Sequence, residues 1–160
     1  MTAPTPSQTV GPFFGFALPF ENGANAAEGE SREVIRVEGQ VLDGNGERVG
    51  DALLEASEGD QFARCRTDGA GAFHFVLRKP VASGGAPFVN ITVFARGLLR
   101  HLHTRMYFPD EDDANGMDRV LQLVDEARRH TLIARRDGDM LHFDIRLQGQ
   151  GETVFFTSDR

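Results

Sequence analysis

Two short runs in this chain alternate residue by residue. Phe73, Phe75 and Leu77 alternate with His74, Val76 and Arg78, and Leu141, Phe143, Ile145 and Leu147 alternate with His142, Asp144 and Arg146. Successive side chains on a strand point to opposite faces, so this period predicts half-buried strands rather than helices. Further strands are expected at Val34 to Leu42, Ala52 to Ser57, Phe88 to Ala95, Leu99 to Phe108 and Glu152 to Thr157. Between them lie turn formers such as Asp43-Gly44-Asn45-Gly46 and Asp68-Gly69. Short strands punctuated in this way predict an all-β, single-domain β-sandwich. One stretch breaks the pattern: Val120, Leu121, Leu123 and Val124 recur at near-helical spacing. A short helix is therefore expected over Met117 to Arg128, capped by Asp113 or Asn115.

The N-terminal segment reads differently. Pro6 and Pro12 fix their own φ and bias their neighbours towards extended backbone, so Thr5 to Phe16 is expected to be an extended arm. Phe13, Phe14 and Phe16 need an apolar surface to cover them, either on this domain or on a partner. Residues 1–30 are read as arm and loop, part of the same unit as a sandwich over 31–160. Glu21 to Glu30, Ser83 to Gly85 and Gly59 to Ala63 read as loops. A formal charge of −7 and the lack of a basic stripe argue against binding nucleic acid. Cys65 has no second cysteine to pair with, and the chain shows neither a charged leader before an apolar stretch nor a membrane-length apolar run. A cytoplasmic location is expected.

His101 and His103 form a His-x-His pair that, with Arg105 and Tyr107, falls on one face of a predicted strand. A metal of catalytic type needs about three protein ligands and an open position. The other histidines, His74, His130 and His142, belong to separate elements without paired spacing. A structural set of hydrogen-bonded imidazoles and the Tyr107 hydroxyl competes with the metal reading.

Several segments resemble a known family in series. TPSQTVGPFF at the start, GQVLDGNGERVGDALLEA (Gly39 to Ala56), FVNITVFARG (Phe88 to Gly97), HLHTRMYFPDE (His101 to Glu111) and FDIRLQGQGETVFF (Phe143 to Phe156) are similar to the intradiol ring-cleavage dioxygenases, and within them to the α subunits of protocatechuate 3,4-dioxygenases. The resemblance implies an intradiol dioxygenase-like sandwich. It also implies a homologous iron-bearing β subunit, a higher αβ oligomer, and an active site at the interface for protocatechuate and O2. Iron-bearing relatives hold Fe(III) with two tyrosines and two histidines, hard ligands suited to that ion. This chain has one tyrosine, and the positions matching the His-x-His pair are Phe88 and Asn90. The preceding VASGGAP segment carries no phenol. The resemblance therefore implies no cofactor in this chain, Fe(III) in the β subunit, and no catalytic or metal-ligating residue here.

Substrate contacts are implied for Thr9, Gly11, Pro12 and Phe13 of the arm and for Arg96. In relatives the position of Phe13 is commonly tyrosine, so a hydroxyl is lost while an aromatic wall remains. Arg96 would attract the carboxylate of protocatechuate, which the partner's iron site cleaves with O2 to 3-carboxy-cis,cis-muconate; read from the residues alone, it is equally an ordinary strand-end arginine paired to an acidic loop. Ser57 stands where relatives usually carry tryptophan, and the 59–63 loop is shorter than theirs. Adjacent Phe155 and Phe156 cannot share one sheet face. Two other readings remain open: a stand-alone β-sandwich binding or interaction module without catalytic partner, and a metalloenzyme built on His101 and His103.

Overall fold

The computed structural model describes residues 8–9, 11, 13–27 and 33–157. Pro12 and the expected boundary between residues 30 and 31 lie outside these.

Among the described residues, nine strands form two sheets. They are β1 (Val34–Leu42), β2 (Leu53–Glu58), β3 (Gln61–Arg66), β4 (Ala72–Arg78), β5 (Phe88–Phe94), β6 (Leu102–Tyr107), β7 (Arg135–Asp137), β8 (Met140–His142) and β9 (Ile145–Arg146). The first sheet runs β4-β1-β8-β7, with β9 also on β1; the second runs β3-β2-β5-β6. The alternation seen in sequence sets which face is buried. Ile35, Val37, Val41, Phe73, Phe75 and Leu77 of the first sheet meet Leu54, Ala56, Val89, Ile91, Val93 and Met106 of the second in one apolar layer. The result is the expected all-β sandwich.

Gly39 of β1 lies beneath Phe143, where a Cβ would stand 2.0 Å from the Phe143 carbonyl oxygen and 2.9 Å from the Phe73 ring. The turns follow their predicted chemistry. Asp43 Oδ1 accepts from the backbone of Asn45 and Glu47 at 2.8 and 2.9 Å, and Asp68 Oδ1 accepts from Ala70 and Ala72 at the same distances. Residues 23–26 close one open side of the sandwich. The Gly23 carbonyl accepts from Arg64 N on β3, while Ala24 and Ala26 pair with Val76 on β4.

Several elements depart from expectation. The helix foreseen over Met117 to Arg128 is three pieces, α2 (Asp112–Met117), α3 (Arg119–Leu123) and α4 (Glu126–Arg129), followed by a 3₁₀ turn at His130–Leu132; among the described residues α1 (Phe14–Ala17) precedes them. Asp118 and Val124 are extended, with ψ of 124° and 137°, and break the run. Asp118 and Asp125 restart it by capping: Asp118 accepts from Val120 N and Leu121 N, and Asp125 from Ala127 N. The caps are thus not Asp113 or Asn115. The arm is not extended throughout, since α1 makes one helical turn just beyond Pro12.

The 59–63 loop shrinks to a turn at Gly59-Asp60, with Gln61 already in β3. The strand foreseen from Leu141 to Leu147 divides into β8 and β9 around Phe143 and Asp144, both pieces pairing in parallel with β1. Asp144 Oδ1 accepts from Gln40 N at 2.9 Å, replacing a ladder bond there. Glu152 to Thr157 forms no strand; Phe156 makes one bridge to His103. Phe155 packs on the central layer, whereas Phe156 joins a second cluster with Tyr107, Leu121 and Leu132. The two adjacent rings do serve different layers.

Candidate functional site

One end of the second sheet carries Arg96 and, across the same row of strands, meets the α1 turn of the arm through Arg66. Leu53 of β2 is paired on one side with Arg66 of β3 and on the other with Phe94 of β5. With strands about 4.8 Å apart, Arg66 and Phe94 are roughly 10 Å apart across that row. The arm reaches the row from the β3 side. In α1 the Phe13 carbonyl accepts from Phe16 N and Ala17 N at 3.0 and 2.9 Å, turning Phe14 into the protein and leaving Phe13 and Phe16 outward. The Arg66 guanidinium lies 4.7 Å from the Phe16 ring centroid. Arg64 secures the arm further along by donating to the Leu18 carbonyl at 2.8 Å while pairing with Glu55 at 2.6 Å. Phe13 is 77% exposed and Phe16 72%.

Arg96 follows β5 at the same end of the sheet. Its guanidinium makes an ion pair with Asp51, just before β2, and its side chain is 72% exposed. Thr9 is exposed, and Gly11 is half-buried with φ of +85°, a left-handed conformation that favours glycine. No described atom lies within 4 Å of where a Gly11 Cβ would be, so conformation rather than close approach within this chain accounts for the glycine. Among the described residues no hydrogen bond or ion pair joins Thr9, Gly11 or Phe13 to Arg96. Arg66 and Asp51 were missed in sequence. The signal for Arg66 was the alternation of Phe62, Arg64 and Arg66 with Ala63 and Cys65, small inward residues that disguise β3.

Further across the sheet, the Phe94 ring lies 5.5 Å from the His101 ring, itself 4.6 Å from His103. His101 precedes β6, so only His103, Arg105 and Tyr107 share its outward face. His103 Nδ1 and Thr92 Oγ1 are 3.1 Å apart. Burial, with the neighbouring His101, holds the His103 imidazole below its ordinary pKa.

Phe88 and Asn90, the positions matched to the paired ligands of iron-bearing relatives, stand opposite Tyr107 and Arg105. The Arg105 guanidinium covers the Phe88 ring at 4.0 Å and approaches the Tyr107 hydroxyl at 3.4 Å. Tyr107 donates to Asp118 Oδ1 at 3.2 Å, and burial is the foremost cause that pushes its phenol pKa up. Among the described residues, no three His, Cys, Asp or Glu side chains form a group able to hold a metal ion. This face supplies aromatic planes and a guanidinium held against them.

No protein-family model matches the chain. It is 40% identical to the protocatechuate 3,4-dioxygenase alpha chain of Burkholderia cepacia, over 95% of this chain and 96% of that one. It is 39% identical to the alpha chain of the same name from Pseudomonas putida, over 95% of each. Among solved structures, it resembles a dioxygenase domain from Streptomyces sp. SirexAA-E with a TM-score of 0.62 and 21% identity, over 92% of this chain and 99% of that one. An intradiol ring-cleavage dioxygenase from Tetranychus urticae superposes with a TM-score of 0.61 and 12% identity, over 77% and 84%. The last two establish the fold.

Proposed function

This chain belongs to the family of protocatechuate 3,4-dioxygenase alpha chains, and from that membership we propose that it completes the substrate pocket of a homologous, iron-bearing β subunit. In this reading the reaction is intradiol cleavage of protocatechuate with O2 to 3-carboxy-cis,cis-muconate. Fe(III) and its ligands belong to the β subunit, and the two chains repeat in a cytoplasmic oligomer. The observation that carries it is the pairing, at one end of the second sheet, of a docked arm whose Phe13 and Phe16 rings remain uncovered with the exposed guanidinium of Arg96. Exposed aromatics beside arginines, as Phe16 is beside Arg66, are enriched at interface centres.

Arg96 supplies binding rather than chemistry. Its ion pair with Asp51 is of the surface kind, worth about 0–1 kcal/mol, so a substrate carboxylate can draw the guanidinium at little cost. Thr9, Gly11, Pro12 and Phe13 form a wall, and the family's usual tyrosine hydroxyl at Phe13 is absent. The chain itself acts by shape, exclusion of water and one positive charge. Steady-state kinetics of the assembled enzyme test this. Arg96→Ala raises KM for protocatechuate more than it lowers kcat, as loss of uniform binding requires. Unchanged kinetics would remove Arg96 from the site.

A further inference from the structure

A groove on the first sheet brings two arginines, Arg135 and Arg146, together beside one carboxylate, Asp144, on a chain whose formal charge is −7. It measures about 310 Å³, within the range of small-ligand sites. Arg135 of β7 and His142 of β8 face each other across their hairpin at one side, Arg146 of β9 lies at another, and His130 of the 3₁₀ turn completes the rim. Neither the Arg135 nor the Arg146 guanidinium makes an ion pair or hydrogen bond among the described residues. Of the carboxylates nearby, Asp144 lines the groove and accepts from Gln40 N, while Glu38 and Asp137 approach the two ring nitrogens of His142 at 3.1 and 3.9 Å. Leu42, Ile133 and Phe143 give the groove an apolar side.

We infer that this groove binds a small polycarboxylate, its charges taken by Arg135 and Arg146 and its carbon skeleton laid against Leu42, Ile133 and Phe143. Guanidinium forks match carboxylate geometry, and uncommitted ones flanking a concave surface are prepared for such a ligand. The apolar side favours an anion with a carbon frame over a bare inorganic one. The site uses none of the residues assigned to the substrate pocket and does not depend on that assignment.

Calorimetric titration of citrate into the full chain, as isolated with any partner it retains, tests the inference at constant ionic strength. Saturable binding is expected, weakened about tenfold in Arg135→Gln/Arg146→Gln, the scale of a lost charge-assisted contact. Arg135→Gln alone, at an exposed position without internal partners, is expected to keep the fold and still weaken binding. Undiminished binding in both variants, or no saturable heat in the native protein, would overturn the site. Inorganic phosphate binding as tightly as citrate would overturn the assignment to a carbon-framed anion.

Discussion

A methyl group at position 39 would stand 2.0 Å from the Phe143 carbonyl oxygen, well inside contact distance. The backbone of β1 and the 143 segment must separate to admit it, and both lie in the central layer. Gly39→Ala is therefore expected to lower stability by about 1–3 kcal/mol, as overpacked cores do, read from the midpoint of urea unfolding. An unchanged midpoint would mean that the two segments are not held this closely. At this scale Phe13 and Arg96 were reached through the family resemblance, whereas Gly39 read as one residue of an ordinary strand. Its role depends on a carbonyl 104 positions further along, which no local pattern announces. Asp51, the partner of Arg96, is invisible for the same reason.

Asp118 joins three elements through one carboxylate. It caps α3 at Val120 N and Leu121 N, takes the Tyr107 hydroxyl from β6, and accepts from Ala86 N at 3.2 Å. Asp118→Ala should cost about 2–3 kcal/mol, a lost cap compounded by buried donors left unpaired. Thermal unfolding measures it, and a loss within a few tenths of a kcal/mol would contradict the shared role. A second junction links the end of β4 to the loop after β6. Lys79 Nζ meets Asp110 and Glu111 at 2.8 and 2.9 Å, and Arg136 of β7 also reaches Asp110.

For Asp110, burial is the largest single effect and raises the pKa, but the Lys79 hydrogen bond, a backbone hydrogen bond and the charges of Lys79 and Arg136 together outweigh it, and the net shift is downward. For Lys79, burial is the largest single effect and lowers the pKa, but the hydrogen bonds and charges of Asp110 and Glu111 together outweigh it, giving a net rise. The Asp110 contribution is present above its unfolded pKa and lost as pH falls through the folded value. The Lys79 contribution is present below its unfolded pKa and lost as pH rises through the folded one. Stability should therefore fall on acidification through the carboxylate range, and Lys79→Met should flatten part of that slope. Parallel acid profiles would dissociate Asp110 from Lys79. Strands were legible where large residues alternate, as in β1, β4 and β5. They were not where inward positions are small, as in β3, or where a side chain substitutes for a ladder bond, as at Asp144.

For the molecule as a whole, the sandwich follows from period-two patterning and turn chemistry, while the broken helical region follows from two aspartate caps that a moving apolar pattern conceals. The candidate site was legible in part because arm and FARG segment each carry a resemblance. Their arrival at one end of one sheet is a consequence of register, Arg66 to Leu53 to Phe94, and register was not in the sequence pattern. On the function proposed, what the assembly does rests on a partner that would supply iron to a surface this chain completes. The most direct measurement is to purify the tagged chain from its native cell under mild conditions and determine the iron and visible absorbance of what accompanies it. A second, homologous chain with iron in equal proportion to it and a tyrosinate-to-iron absorption band is the predicted result. A lone, colourless, metal-free chain, or iron held by this chain without a partner, would contradict the account.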